Sequence, residues 1–166
     1  MQITLKLPTM SNHIDDIDIQ MLTKLQHNGR TQRNKLAEMV DLSVPSVSER
    51  MRKLEDKKLI EGYYAVLNAK KFHLDITAFI FVEVDSSVLY QSFVETAVLE
   101  DEIQEVHSIT GDGSHILKIR TRNTGSLERL LSKIQSWNGV KRTRSNIVLS
   151  SFKETREIPL NDIALI

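Results

Sequence analysis

Cysteine is absent from the 166 residues. That excludes disulfides, thiolate-held zinc, iron–sulfur clusters and thiol catalysis. An excess of either charge is absent too, because 22 Lys and Arg cancel 22 Asp and Glu. A neutral chain exerts no long-range pull on nucleic acid, so any such affinity has to come from a local patch. No apolar run approaches the roughly 18–20 residues of a membrane span, since Lys, Asp or Glu interrupts every candidate. The opening Met1–Pro8 alternates apolar with polar residues and is followed by no continuous apolar core, so a signal peptide is not expected. The expectation is a cytoplasmic protein with no membrane partner. Hydrophobic residues at 40% and charged residues at 27% are ordinary for a globular protein and exclude wholesale disorder.

The usual enzymatic signatures are also missing. His13, His27, His73, His107 and His115 show no metal-ligand spacing, and no metal site or cofactor is expected. There is no phosphate-binding Walker loop. Gly111-Asp112-Gly113 is too short for a dinucleotide fingerprint and lies between strands. Glu100-Asp101-Glu102 closes a helix and reads as solvent-exposed. The chain is not expected to be an enzyme.

What is present is organised. Ile14, Ile17, Met21, Leu22 and Leu25 recur at helical spacing over Asp15 to Asn28, with acids in the first turn, where the helix dipole favours them. Asn28-Gly29 stops this helix. A short second helix runs from Arg33 to Val40, with Leu36, Ala37 and Val40 on its apolar side. Asp41-Leu42 makes a tight turn. Ser43 is an N-cap and Pro45 fits the first turn of a third helix that continues through Lys57. On a wheel of 100° per residue, Val47, Met51 and Leu54 gather in one arc. Pro45, Ser46, Glu49, Arg52, Lys53 and Asp56 point away, with Ser48 and Arg50 on the flanks. From Arg30 to Lys58 eight bases stand against five acids. A face small and polar at its start and basic further on suits a helix lying in a major groove, and two helices joined by a tight turn form a helix-turn-helix. Leu59–Val66 is expected as a strand pair or wing. A three-helix bundle with a solvated polar face is the other reading of the same pattern.

These residues also resemble a family. Leu22-x-x-Leu25, Asn28-Gly29-Arg30, Leu42-Ser43-x-x-x-Val47-x-x-Arg50-x-x-x-Leu54-Glu55 and Leu59-Ile60-Glu61-Gly62-Tyr63 are similar to the winged helix-turn-helix of the Lrp/AsnC (feast/famine) regulators. The likeness runs from Ile14 to about Leu160. The family often has Gly where this chain has Asp41 and Lys58. Both positions call for a left-handed backbone, which Asp tolerates and which costs Lys about 1 kcal/mol. The resemblance implies a sequence-specific transcription regulator. Its expected DNA face is Arg33, Ser43, Pro45, Ser46, Ser48, Glu49, Arg50, Arg52 and Lys53, with Arg50 also open to bracing the helix-turn-helix. An architectural DNA-binding protein with no physiological effector is the alternative.

The second half reads as an α+β domain of βαββαβ order, a ferredoxin-like sandwich. Its strands are Ile76–Val84, Val106–Thr110, His115–Arg120 and a last one containing Ile147-Val148-Leu149. Its helices are marked by Leu89 to Val98 and by Leu127 to Trp137. The first strand has apolar residues on both faces, while the helices cover only one. Phe79 and Phe81 therefore need a cover, and a second copy of the same sheet supplies it. The resemblance agrees: such domains dimerise through their sheets and assemble further, as in octamers.

Thr110-Gly111-Asp112-Gly113-Ser114 can bind a free amino acid, Asp112 accepting from its ammonium and the amides near Gly111 and Gly113 meeting its carboxylate. A plain Gly-rich hairpin turn explains the same residues. The resemblance places the effector at this loop, with His107 nearby. The family's Gly-Asp-x-Asp pattern here keeps Gly111 and Asp112 but has Ser114 for the second acid. The expected division is an N-terminal extension (1–12), a DNA-binding domain (13–66), a linker (67–75), an effector and oligomerisation domain (76–160) and a tail (161–166).

Overall fold

Asp15 shows why the first helix starts where it does. Its side chain accepts from the Asp18 amide, and the Asp18 side chain reaches back to the Asp15 amide, a reciprocal capping box. In the computed structural model, which describes residues 14–160, this opens α1 (Asp16–His27). The expected N-terminal extension and C-terminal tail lie outside the described residues. Next come α2 (Arg33–Val40) and α3 (Val44–Asp56). Between them Asp41 sits at φ 52°, in the left-handed region, and its amide donates to the Ala37 carbonyl. Met21, Leu25, Leu36, Ala37, Val47 and Met51 meet in one core, and Leu54 is buried as well. Each of the Met, Leu and Val side chains contributes on the order of 1.5–3 kcal/mol by leaving water.

After α3 the chain departs from the sequence expectation. Lys58 turns at φ 59°, and the amides of Leu59 and Ile60 both donate to the Leu54 carbonyl. Residues 61–68 then run without regular structure, so no wing strands form. Aromatic and β-branched residues there suggest strands, but among the described residues no partner strand pairs with them. Residues from Glu154 to Leu160 belong to this same compact unit. The Gln26 side-chain amide donates to the Ile158 carbonyl at 3.1 Å and accepts from the Ile158 amide at 2.7 Å. His27 Nδ1 lies 2.9 Å from Glu157 Oε1.

The second unit covers Val66 to Lys153. Its elements are β1 (Ile76–Val84), α4 (Tyr90–Ala97), β2 (Ile103–Ser108), β3 (His115–Thr121), α5 (Thr124–Gln135) and β4 (Val140–Ile147). The sheet order is β2-β3-β1-β4, with every pair antiparallel. This is the βαββαβ sandwich that the periodicity implied. Ala78, Ile80, Val82 and Val84 of β1 pack with Leu117, Ile119, Phe93, Ala97, Leu127, Leu130 and Ile134. Two strands sit earlier than expected. β2 starts at Ile103, and β4 ends at Ile147, leaving Val148 and Leu149 beyond it. The ladder to β1 is made by the polar stretch preceding the apolar triplet, with Phe81 opposite Arg144 and Glu83 opposite Arg142.

Candidate nucleic-acid interface and effector loop

Ser43 is the N-cap of α3, its Oγ accepting from the Ser46 amide at 3.3 Å and lying 2.8 Å from Ser46 Oγ. Pro45 occupies the first turn, where a missing N–H costs nothing. Ser48 Oγ donates to the Val44 carbonyl. Pro45, Ser46, Glu49, Arg52 and Lys53 are exposed, while Val47, Met51 and Leu54 face the core. Arg33 opens α2 and is exposed too.

The charges on α3 are more engaged than the wheel suggests. Arg52 donates to both Glu49 carboxylate oxygens, at 2.7 and 3.0 Å, and to Asp56 at 2.7 Å. Lys53 Nζ lies 3.8 Å from Glu49. The Arg52 guanidinium holds the Glu49 carboxyl below its ordinary pKa range, and Glu49 in turn raises Arg52. Arg50 turns elsewhere. Its Nη1 lies 2.8 Å from Asp15 Oδ2 and donates to Asp18 Oδ1 at 2.8 Å, binding α3 to the capping box of α1. Burial pushes the Asp15 carboxyl up, but the Asp18 amide and the Arg50 guanidinium outweigh it and leave it below the ordinary range. Of the two roles open to Arg50, the geometry displays bracing. Asp15 and Asp18 are the partners that sequence reasoning missed. The sequence shows acids in the first turn of this helix, but nothing in them points 32 residues ahead to Arg50.

Tyr63 donates to Glu55 at 2.9 Å. Burial and the Glu55 carboxylate push its phenol up to about 12. This fixes the residue after Gly62 against the end of α3.

In the second unit, Gly111 and Gly113 have φ of 96° and 124°. A Cβ at Gly113 would lie 3.0 Å from the Val82 carbonyl oxygen, so this turn requires glycine twice over, by angle and by approach. Ser114 is tied to β1: its Oγ accepts from the Val84 amide at 3.1 Å and donates to the Val82 carbonyl at 3.2 Å. It also lies 2.9 Å from Nδ1 of His115, which is fully buried between Tyr90 and Phe93. Burial pulls the His115 pKa down and favours the neutral ring. Asp112 is exposed and accepts from Arg144 at 3.0 Å.

Asp112 and Gly113 border a hollow of about 390 Å³ whose other walls are Phe81, Glu83, Arg142, Thr143 and Arg144. The two arginines escaped sequence reasoning because the β4 stretch that carries them has almost no apolar signal, and Glu83 of β1 stood there only as part of an expected strand. Thr110, Gly111 and Ser114 are not among the lining residues, and neither is His107. His107 is exposed on β2, with Nε2 3.4 Å from Glu105. Phe81 of the hollow and Phe79 lie on the sheet face away from α4 and α5 and are half-buried, with the Arg144 guanidinium 4.8 Å above the Phe81 ring. Among the described residues no group of His, Asp or Glu is arranged to hold a metal ion, and no helix is long and apolar enough to cross a membrane.

A capped helix presenting an exposed polar face, carried by one unit, with an antiparallel α+β sandwich as the other, defines a helix-turn-helix regulator. Comparisons with known proteins place the chain more narrowly. Residues 14–55 match the AsnC-type helix-turn-helix domain, and residues 77–158 match the Lrp/AsnC ligand binding domain. The chain is 32% identical over 151 residues to the HTH-type transcriptional regulator FL11 of Pyrococcus furiosus, covering 91% of this chain and 99% of that one. It is 31% identical over 150 residues to the leucine-responsive regulatory protein of Escherichia coli, covering 87% and 90%. A transcriptional regulator of Neisseria meningitidis, solved as a complex with L-Met, superposes with a TM-score of 0.85 at 29% identity, covering 89% of this chain and 97% of that one. The chain belongs to the Lrp/AsnC family of transcriptional regulators, which are not enzymes.

Proposed function

We propose that this protein is a sequence-specific DNA-binding regulator that works as a dimer, with α3 as its reading helix and an amino acid as its effector. The observation that carries this reading is the division of α3 between a buried side, Val47, Met51 and Leu54, and an exposed side bearing Ser46, Glu49, Arg52 and Lys53. The small residues permit close approach to a major groove, the cations reach phosphates and base edges, and the capped N-terminus favours a phosphate beside Ser43. Two copies joined through Phe79 and Phe81 would read half-sites about one helical turn apart. Further assembly into octamers and a cytoplasmic location follow from the same reading.

The effector site proposed is the hollow beside Asp112. Asp112 and Glu83 are acceptors for an ammonium, and Arg142 and Arg144 are donors to a carboxylate. Relatives support the ligand class: the Neisseria meningitidis regulator was solved with L-Met, and so was a feast or famine regulatory protein from Mycobacterium tuberculosis. The existing Asp112–Arg144 pair has to open for a zwitterion to take both charges.

The DNA reading is tested by the salt dependence of duplex binding. Arg52→Ala and Lys53→Ala should each weaken binding and flatten the slope of log K against log salt by about 1, one phosphate contact apiece. An unchanged slope removes these residues from the interface. The effector reading is tested by a thermal-shift screen of the twenty amino acids, in which a stabilising hit should lose its shift in Asp112→Ala. A screen with no hit favours the architectural alternative.

A further inference from the structure

The exposed face of α3 carries no net charge where it was expected to be basic. Arg52 and Lys53 both lie against one carboxylate, Glu49, and Arg52 also reaches Asp56. The Arg52 fork on Glu49 is bidentate, with both oxygens engaged. Glu49 sits one turn before the two cations, toward the end of α3 where Ser46 and Pro45 allow close approach to a groove. A carboxylate there has two effects on a duplex. It weakens the attraction of both cations for phosphate, because its single negative charge lies 2.7 Å from Arg52 and 3.8 Å from Lys53. It is itself repelled by phosphates and by the acceptor edges of guanine and thymine. The donors that a major groove offers it are the exocyclic amines of cytosine and adenine, and Glu to cytosine N4 is an established pairing geometry.

Resting on the regulator reading above, we infer that Glu49 is the specificity-determining residue of α3: paired with Arg52 and Lys53 it damps their attraction for any duplex, and it releases them to phosphate only where its own carboxylate accepts from an exocyclic base amine. The device needs no movement of the helix. It exchanges the two ion pairs that Glu49 makes within the helix for one contact to a base and two to the backbone. On random DNA the exchange lacks its base partner, so the cations stay held. Asp56 cannot do the same, since it lies two turns further along and engages Arg52 but not Lys53.

The test uses the full-length protein. Duplexes are selected from a random pool by the wild type, and dissociation constants for a selected and a random duplex are measured at one salt concentration. Glu49→Gln and Asp56→Asn are then compared on both duplexes. Glu49 is exposed, so folding is retained and is checked by circular dichroism. In Glu49→Gln the affinity for random DNA should rise and the ratio of selected to random affinity should fall about tenfold, while the base preference at one C·G or A·T position relaxes. Asp56→Asn should raise both affinities together and leave the ratio unchanged. A Glu49→Gln ratio within about twofold of wild type overturns the inference, even if both affinities rise. If the wild type selects no sequence from the pool, it is the sequence-specific reading that fails.

Discussion

Asp18 is only 8% exposed, and an ionised carboxylate in that position is costly without a cation and hydrogen-bond donors. Arg50 supplies both, and it holds Asp15 with the same nitrogen. Removing the guanidinium strands a buried acid. Arg50→Ala should therefore destabilise the helical unit by about 1–2 kcal/mol, toward the low end of the range for a stranded partner because Arg50 itself is partly solvated. Urea unfolding at neutral pH measures this. The pH dependence has a definite sign. The Asp15 carboxyl is held below its ordinary value of 3.8, so its contribution is complete above that value and is lost as pH falls through the lower folded one. The gap between wild type and Arg50→Ala should be constant from neutral pH down to about 4 and close below it. In Asp18→Asn the same Arg50→Ala change should cost less, since no buried charge is left behind. DNA affinity of Arg50→Ala, measured well below its unfolding midpoint, separates bracing from contact.

At the scale of elements, the turn after α3 stores a small strain. Lys58 adopts φ 59°, a conformation that glycine reaches without penalty and a side chain with Cβ does not. Lys58→Gly should stabilise the helical unit by up to about 1 kcal/mol, offset in part by the greater freedom of the unfolded chain. An equal or lower unfolding midpoint would mean that the Lys58 backbone is unstrained there. Asp41, at φ 52°, should gain less from the same change because Asp tolerates this region better. Both left-handed positions were expected from the family resemblance, since the family often has Gly at each. The three helices were legible in the residues themselves: Ser43, Pro45 and the Val47, Met51, Leu54 arc are local signals read within one helix. The segment after Leu59 was not. Its Tyr63-Tyr64-Ala65-Val66 run has strand character, but a strand exists only by pairing, and pairing is not written in one segment. β4 showed only at its end, Ile147, for the opposite reason. From Lys141 to Asn146 it is polar, and it is a strand because the β1 backbone lies beside it. Asp112 was therefore identifiable from its turn, whereas Arg142, Arg144 and Glu83, which shape the hollow around it, were not.

At the scale of the molecule, the open face of the sheet carries the assembly proposed above. Phe81 lies opposite Ile116 on β3 and Phe79 opposite Lys118, so an apolar centre is bordered by Arg144, Lys118 and Glu105. Helices α4 and α5 cover the other face, and within this unit Phe79 and Phe81 remain half-buried. An isologous pairing of two such faces removes the phenyl rings from water and sets like residues near a two-fold axis. Phe81→Asp puts a carboxylate in that proposed interface from each copy. Within one protomer the change is tolerable, since Arg144 already stands over the ring position and can pair with the new acid. Between protomers it places two negative charges together in a drying interface, so association should be lost while each unit stays folded. Sedimentation velocity across a range of concentrations should show a monomer for Phe81→Asp where the wild type is a dimer or larger. Loss of the second reading helix should also lower affinity for a two-half-site duplex by about 10²-fold or more, with single half-site affinity unchanged. A variant that sediments as the wild type does would overturn pairing through this face, whatever its effect on DNA.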